Sequence, residues 1–275
     1  MNSDYLPISD SPFDHIQWPE HGAVGLILDG VATPEPGKKI YQWAGDQPIS
    51  AECLYAATRW EAISDLSPWL VWLSGPEDPV LEGFLEKGPA QEQGYLLISA
   101  TDRTTFTRWM RSHLQIVTAP ECEELVRIAH PALARSVIGN NLTRSSSFVV
   151  ERLIVPDRIH QQWHVIEPRG IWPRATDDQI KGITVSPELM SAFEDFNRRK
   201  DALSIWDSLE EPVRSQLGGL RLCNAYSALR KSLDDALDAG CSSLRQVMQF
   251  LFDTVPGQTG GRPLLNPHSR WIEDE

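Results

Sequence analysis

Cysteine is scarce, and the four present in 275 residues (Cys53, Cys122, Cys223 and Cys241) are too far apart for any C-x-x-C pair. That spacing argues against a thiolate metal site and a disulfide framework, and fits free thiols in a reducing compartment. No apolar run approaches the ~20 residues that span a bilayer. The opening MNSDYLPISDSPF lacks the basic end and apolar core of a secretory leader. Residence in the cytoplasm is therefore the expectation. Basic residues are also scarce at the front. Residues 1–100 hold 15 acidic side chains against 4 basic ones, whereas residues 101–275 hold 23 against 21. Such a field repels nucleic acid and anionic lipid, so neither is expected as a partner. A basic protein surface or a merely solvated acidic face fits it equally well.

The signatures of common chemistry are missing too. There is no G-x-S-x-G nucleophile turn and no G-x-G-x-x-G dinucleotide loop. Gly30 to Gly37-Lys38 has six residues between its glycines instead of four, two of them proline, and Lys39 stands where a phosphate loop needs Ser or Thr. It reads as a surface loop. His160 and His164 sit four apart in HQQWH. On a strand that spacing separates them by about 13 Å, too far for one metal ion. The adjacent pairs Glu210-Glu211 and Asp234-Asp235 diverge on helices and read as solvated faces. His130, just before Pro131, is placed to cap a helix, with a general-base role as the competing reading. No catalytic residue, cofactor or metal ligand is expected, and the chain is not read as an enzyme, although triads assembled from distant positions leave no motif.

What is present is an ordinary globular core, with 41% hydrophobic and 23% charged residues. AVGLILDG (23–30), PWLVWLS (68–74) and GYLLIS (94–99) read as buried strands, and ELVRIA (124–129) as a further one. Between them lie a short helix near Ile40–Trp43, a helix capped by Asp78 with Pro79 at its first position and Gly88 at its end, and a helix capped by Asp102 with Phe106, Trp109, Met110 and Leu114 on one stripe. Pro131 opens another helix, which Gly139 closes. FVVERLIV (148–155) and HQQWHVIE (160–167) flank a turn at Pro156-Asp157-Arg158 and read as an antiparallel pair at a sheet edge.

From Ser186 the period becomes helical. Capping-box spacing recurs at Asp207/Glu210 and Ser243/Gln246, and a stripe runs from Leu222 through Tyr226, Leu229 and Leu233 to Leu237 before Gly240. The expectation is an α/β protein with a mostly parallel or mixed sheet flanked by helices, followed by a helical lobe. Its segments are an extension (1–22), the α/β lobe (23–140), a hairpin and connector (141–185), the helical lobe (186–255) and a loose tail (256–275).

One ordered set of segments carries a resemblance. LILDGVATP (26–34), Cys53-Leu54-Tyr55, Leu66-Ser67-Pro68-Trp69-Leu70-Val71, the GYLLIS strand and ELVRIAHPALARSVIG resemble the bacterial domain of unknown function (DUF) 4123 family. The likeness marks Asp29, Leu54, Tyr55, Pro68, Trp69, Leu70, Arg127 and Pro131, mainly as structural positions. His130 departs from it, because the family pattern has Asp there. The resemblance implies an adaptor or chaperone of the type VI secretion system, without chemistry of its own, that binds a toxic effector and loads it onto the spike protein. Trp69 to Leu73 then read as sheet core, at roughly 1.5–3 kcal/mol per fully buried large side chain. Trp163, Trp172 and Trp206 are candidate aromatic contacts with a partner, against the competing reading that each is internal. Two other functions stay open: an α/β enzyme with its site at the carboxyl ends of parallel strands, and an immunity protein that blocks a toxin.

Overall fold

In the computed structural model, residues 6–119, 122–142, 149–167, 183 and 185–254 are described. Two compact units divide the chain, Met1–Ala192 and Phe193–Glu275. The first is organised by a six-stranded sheet of β1 (Ala23–Leu28), β2 (Ser50–Cys53), β3 (Trp69–Leu73), β4 (Gly94–Ser99), β7 (Val150–Asp157) and β8 (Gln162–Ile166), in the order β2-β3-β1-β4-β7-β8. A separate two-stranded ribbon pairs β5 (Gln115–Ala119) with β6 (Cys122–Leu125).

Every pairing in the sheet is antiparallel, which overturns the expected mostly parallel or mixed arrangement. The reason lies in β1. It is antiparallel to both β3 and β4, with Leu26 opposite Val71 on one side and Leu96 on the other. The strand–helix–strand passage β3–α2–β4 (α2, Pro79–Lys87) therefore does join two strands that run the same way, as a crossover must. β1 lies between them, so the parallel neighbours never touch.

Alternation along the strands sends Val24, Leu26, Leu28, Val71, Leu73, Leu96, Ile98 and Ile154 into one core. It is closed by Ile40 and Ala44 of α1 (Pro36–Ala44) and by Val80, Leu81 and Phe84 of α2. On the other face Trp72 meets Phe106 of α3 (Arg103–Ser112) edge to face at 5.2 Å, and α4 (Pro131–Leu142) lies against β7. The expected caps form. Asp78 accepts the Val80 N–H at 2.9 Å and Asp102 accepts the Thr105 N–H at 3.0 Å.

Three local expectations fail for local reasons. α4 runs through Gly139 to Leu142, because that glycine lets Ile166 of β8 approach the helix rather than ending it. Of the segment 124–129, only the first two residues are in β6, and Val126 to His130 turn toward α4. The hairpin turn falls at residues 158–161, with Asp157 still paired to Gln162 and Gln161 at φ +55.

The second unit is helical. α5 (Pro187–Ser208) begins in the last residues of the first unit, continues into the second, and is followed by α6 (Glu211–Gln216), α7 (Leu222–Asp238) and α8 (Leu244–Thr254). Ile205, Trp206, Ala225, Leu229, Leu233, Val247 and Leu251 are among its core. Ser243 and Gln246 form the reciprocal capping box at the start of α8. Asp207 and Glu210 do not, because α5 continues past Asp207 to Ser208. Leu237 is exposed, so the α7 stripe ends a turn earlier than its spacing predicts. The 256–275 tail lies outside the described residues.

Candidate functional site

One end of the sheet gathers buried charge. β1 ends at Leu28, opposite the first residue of β4, so Asp29 lies beside Gln93 and donates its N–H to the Gln93 carbonyl at 2.8 Å. The Asp29 carboxylate accepts the Val31 N–H at 3.0 Å through Oδ1 and the Arg127 Nε–H at 2.8 Å through Oδ2. Gly30 is required at the next position, because a Cβ there would lie 2.2 Å from the Ser67 carbonyl oxygen. Burial pushes the Asp29 carboxyl above its ordinary value, and the Arg127 charge and the Val31 N–H oppose that rise without cancelling it. Burial and the Asp29 charge together push the Tyr55 phenol up to about 12, and they raise Tyr95 in the same way. Both hydroxyls stay protonated, and Tyr95 donates to the Ile128 carbonyl at 3.2 Å.

Next along the same end stands Glu92, buried and at φ +51, just before β4. Its Oε1 accepts the Arg158 N–H at 3.3 Å, and its Oε2 lies 3.9 Å from His130 Nε2. His130 Nδ1 accepts the Ala132 N–H at 3.2 Å, so the imidazole caps α4 and its proton sits on Nε2, toward Glu92. An aspartate at this position would cap the same helix.

A third carboxylate, Asp157, closes β7. Its Oδ1 accepts the Ile159 N–H at 2.9 Å, while Oδ2 meets Arg135 at 2.9 Å, His160 Nδ1 at 2.9 Å and His164 Nε2 at 3.0 Å. Burial alone would raise this carboxyl. The bonds from His164 and His160 and the Arg135 charge outweigh burial and hold it well below the usual carboxylate range. Strand geometry had set the two histidines far apart, but His160 belongs to the turn, and both rings converge on one oxygen. The carboxylate gathers these four donors and pins the 158–161 turn, and it is not held as an open base. Among the described residues, no group of three or more His, Cys, Asp or Glu has the geometry to hold a metal ion.

The residues marked by sequence are distributed accordingly. Asp29 and Arg127, 98 positions apart, meet directly. Leu54, Tyr55, Pro68 and Leu70 are buried around them, Trp69 is half-buried against Gly37 of α1, and Pro131 is the first residue of α4. Trp163 is 4% exposed and donates from Nε1 to the Asp10 carbonyl at 3.1 Å. Trp206 is 5% exposed in the helical core, beneath the Arg214 guanidinium. Both rings are thus internal in this structure, and Trp172 lies outside the described residues. Glu92, Arg135 and Asp157 went unremarked as site residues, although Pro156-Asp157-Arg158 already signalled a turn and hence a carboxylate free to bond its own backbone. Cys53, Cys223 and Cys241 are free thiols, and no described helix is long and apolar enough to cross a membrane.

Fold and site together define an α/β domain with an antiparallel sheet pinned at one end by buried carboxylates. Residues 26–143 match the family described as Domain of unknown function (DUF4123), and this part of the chain is similar to it. The matched segment holds Asp29, Glu92, Arg127 and His130 but stops short of Asp157. No curated protein and no solved structure matches the chain.

Proposed function

We propose that this protein is an adaptor of the type VI secretion system, which works in the cytoplasm, binds a toxic effector and loads it onto the spike protein with no chemistry of its own. The observation that carries the reading is the family match over residues 26–143, in which the two marked charges from its far ends, Asp29 and Arg127, close on each other inside the fold. The ionic groups at that end of the sheet act as structural pins, which accords with a protein whose work is done by its surfaces. The enzyme reading drew on parallel strands whose carboxyl ends share one side of a sheet. In an antiparallel sheet alternate strands point opposite ways, and that motive is gone.

The test is co-expression of the tagged chain with the products of its neighbouring genes. A stoichiometric complex with a toxin or with a spike carboxyl terminus is expected. Recovery of neither overturns the proposal, and a complex that abolishes the toxin's activity without ever engaging the spike makes the protein an immunity factor instead.

A further inference from the structure

The two edges of the sheet are treated differently. At β8 the chain covers its own edge: Trp163 donates its N–H to the Leu6 carbonyl at 2.8 Å, Ile8 donates to the Gln161 carbonyl at 3.0 Å, and Pro7 bridges to Gln162. At β2 no such segment lies alongside among the described residues. The bond from the Leu54 N–H to the Pro68 carbonyl, 3.0 Å, sets the phase of the β2–β3 ladder. Residues 50 and 52 turn their main-chain groups toward Trp72 and Leu70. Ala51 therefore points its N–H and C=O outward, and so does the Cys53 N–H, while the Cys53 carbonyl accepts the Ala56 N–H at 3.2 Å.

At the start of this free edge opens a pocket of about 250 Å³, walled by Ile49, Trp72 and Val80, with Ser50 and Arg103 at its polar side. Arg103 is held in place, 5.3 Å over the Trp72 ring and 3.3 Å from the Ser50 hydroxyl. Asp78 also lines the pocket and balances the Arg103 charge there. β2 itself belongs to the first hundred residues of the chain, which hold 15 acidic side chains against 4 basic ones.

We propose that β2 is the docking edge for an extended segment of a partner polypeptide, which adds a strand through Ala51 and Cys53, sets one large apolar side chain into the adjoining pocket and carries basic residues on either side. Main-chain groups spaced for a ladder select an extended backbone, the apolar walls select the side chain, and the acidic surplus of residues 1–100 selects the flanking charge. The inference rests on the adaptor reading for the existence of such a partner, and it names the part of the surface that grips it.

The probe is a blocked seven-residue peptide, Lys-Thr-Val-Leu-Val-Thr-Lys, titrated into the full chain, with amide hydrogen exchange read residue by residue. The Ala51 and Cys53 amides exchange freely in the protein alone and become protected when the peptide binds. Ala51→Pro deletes one outward N–H without touching the ladder to β3 and weakens binding about tenfold, the scale of one hydrogen bond. Ser50→Tyr, at an exposed position, blocks the mouth of the pocket and weakens binding comparably. Because it leaves the main chain alone, it carries the test if Ala51→Pro does not fold. Replacing both peptide lysines by glutamate also weakens binding.

Absence of binding, protection away from β2, or indifference to both substitutions overturns the proposal. So does an Ala51 amide already protected in the free protein, which would mean the chain covers this edge itself. Cargo captured equally well by Ala51→Pro and Ser50→Tyr retains the adaptor and removes this surface. Peptide bound at β2 with no cargo captured does the reverse.

Discussion

Arg127→Ala removes the guanidinium from Asp29, a side chain only 2% exposed, and leaves a carboxylate in the protein interior with the Val31 N–H as its remaining strong donor. Breaking one side of a buried pair costs about 3–5 kcal/mol. Arg127 itself is 30% exposed, so solvent screens part of the interaction and the loss is set at about 2–3 kcal/mol. Asp29→Asn removes the charge as well as the pair, keeps an oxygen for the Val31 N–H, and costs about 1 kcal/mol. The double variant then matches Asp29→Asn to within a few tenths of a kcal/mol.

The pH dependence has a definite sign. The folded Asp29 pKa lies above the ordinary 3.8, so its contribution to stability is fully present below that value and is lost as pH rises through the folded pKa. Arg127 is what opposes the rise. Without it the pKa climbs further, so the deficit of Arg127→Ala is largest at pH 7.5 and shrinks toward pH 4. Urea unfolding, followed by exchange of the β1 and β4 amides at both pH values, reads these differences. Equal deficits at the two pH values, or an Asp29→Asn as damaging as Arg127→Ala, would refute the account of the pair.

Two further outcomes follow from buried groups elsewhere in the sheet unit. His113 is fully buried beside the Trp109 ring, and burial lowers its pKa from 6.5 to about 4 against the opposing bond to the Trp109 carbonyl. Its contribution is present above pH 6.5 and is lost as pH falls toward 4, at most roughly 3 kcal/mol. A titration of the His113 ring by NMR showing a midpoint near 6.5 contradicts this. Gly94→Ala places a Cβ 2.1 Å from the Ile27 carbonyl oxygen, a main-chain atom of the central strand that cannot swing aside, so soluble yield collapses. Gly75→Ala, with open space at that position, leaves the melting temperature within about 1 °C.

How far sequence reaches is clearest at the strand ends. Period and caps are local, and they place β1, β3, β4, α2 and α3 within a residue or two, because Asp78, Pro79, Asp102 and the apolar runs act on their own neighbours. Pairing is not local. Nothing in AVGLILDG says that it will slip between β3 and β4, so the alternation of strands and helices suggested parallel neighbours where there are none. The same limit governs the site. Asp29 and Arg127 were marked by resemblance, yet no spacing rule brings residues 98 positions apart to 2.8 Å. The meeting of His160 and His164 on Asp157 depends on Gln161 taking φ +55, one residue of left-handed backbone that strand periodicity does not anticipate.

The buried charges and the open edge occupy different parts of one sheet, and each bears on the other. An added strand gains from main-chain bonding only if the edge it joins is already fixed in register, since otherwise the ordering of β2 offsets what the new bonds contribute. β2 is only four residues long and is paired on one side, so its register is inherited from β3, and that of β3 from β1. At the far end of β1, Asp29 bonds to Arg127 and to Gln93, which immobilises the central strand by contacts that fray neither edge. Loosening that pair should therefore weaken peptide capture at β2 even though no group of the pair touches the peptide. Arg127→Ala measured with the same peptide gives the answer: weaker binding together with faster exchange along β3 supports a register inherited through the sheet, and unchanged binding with β1 loosened shows that β2 holds its own.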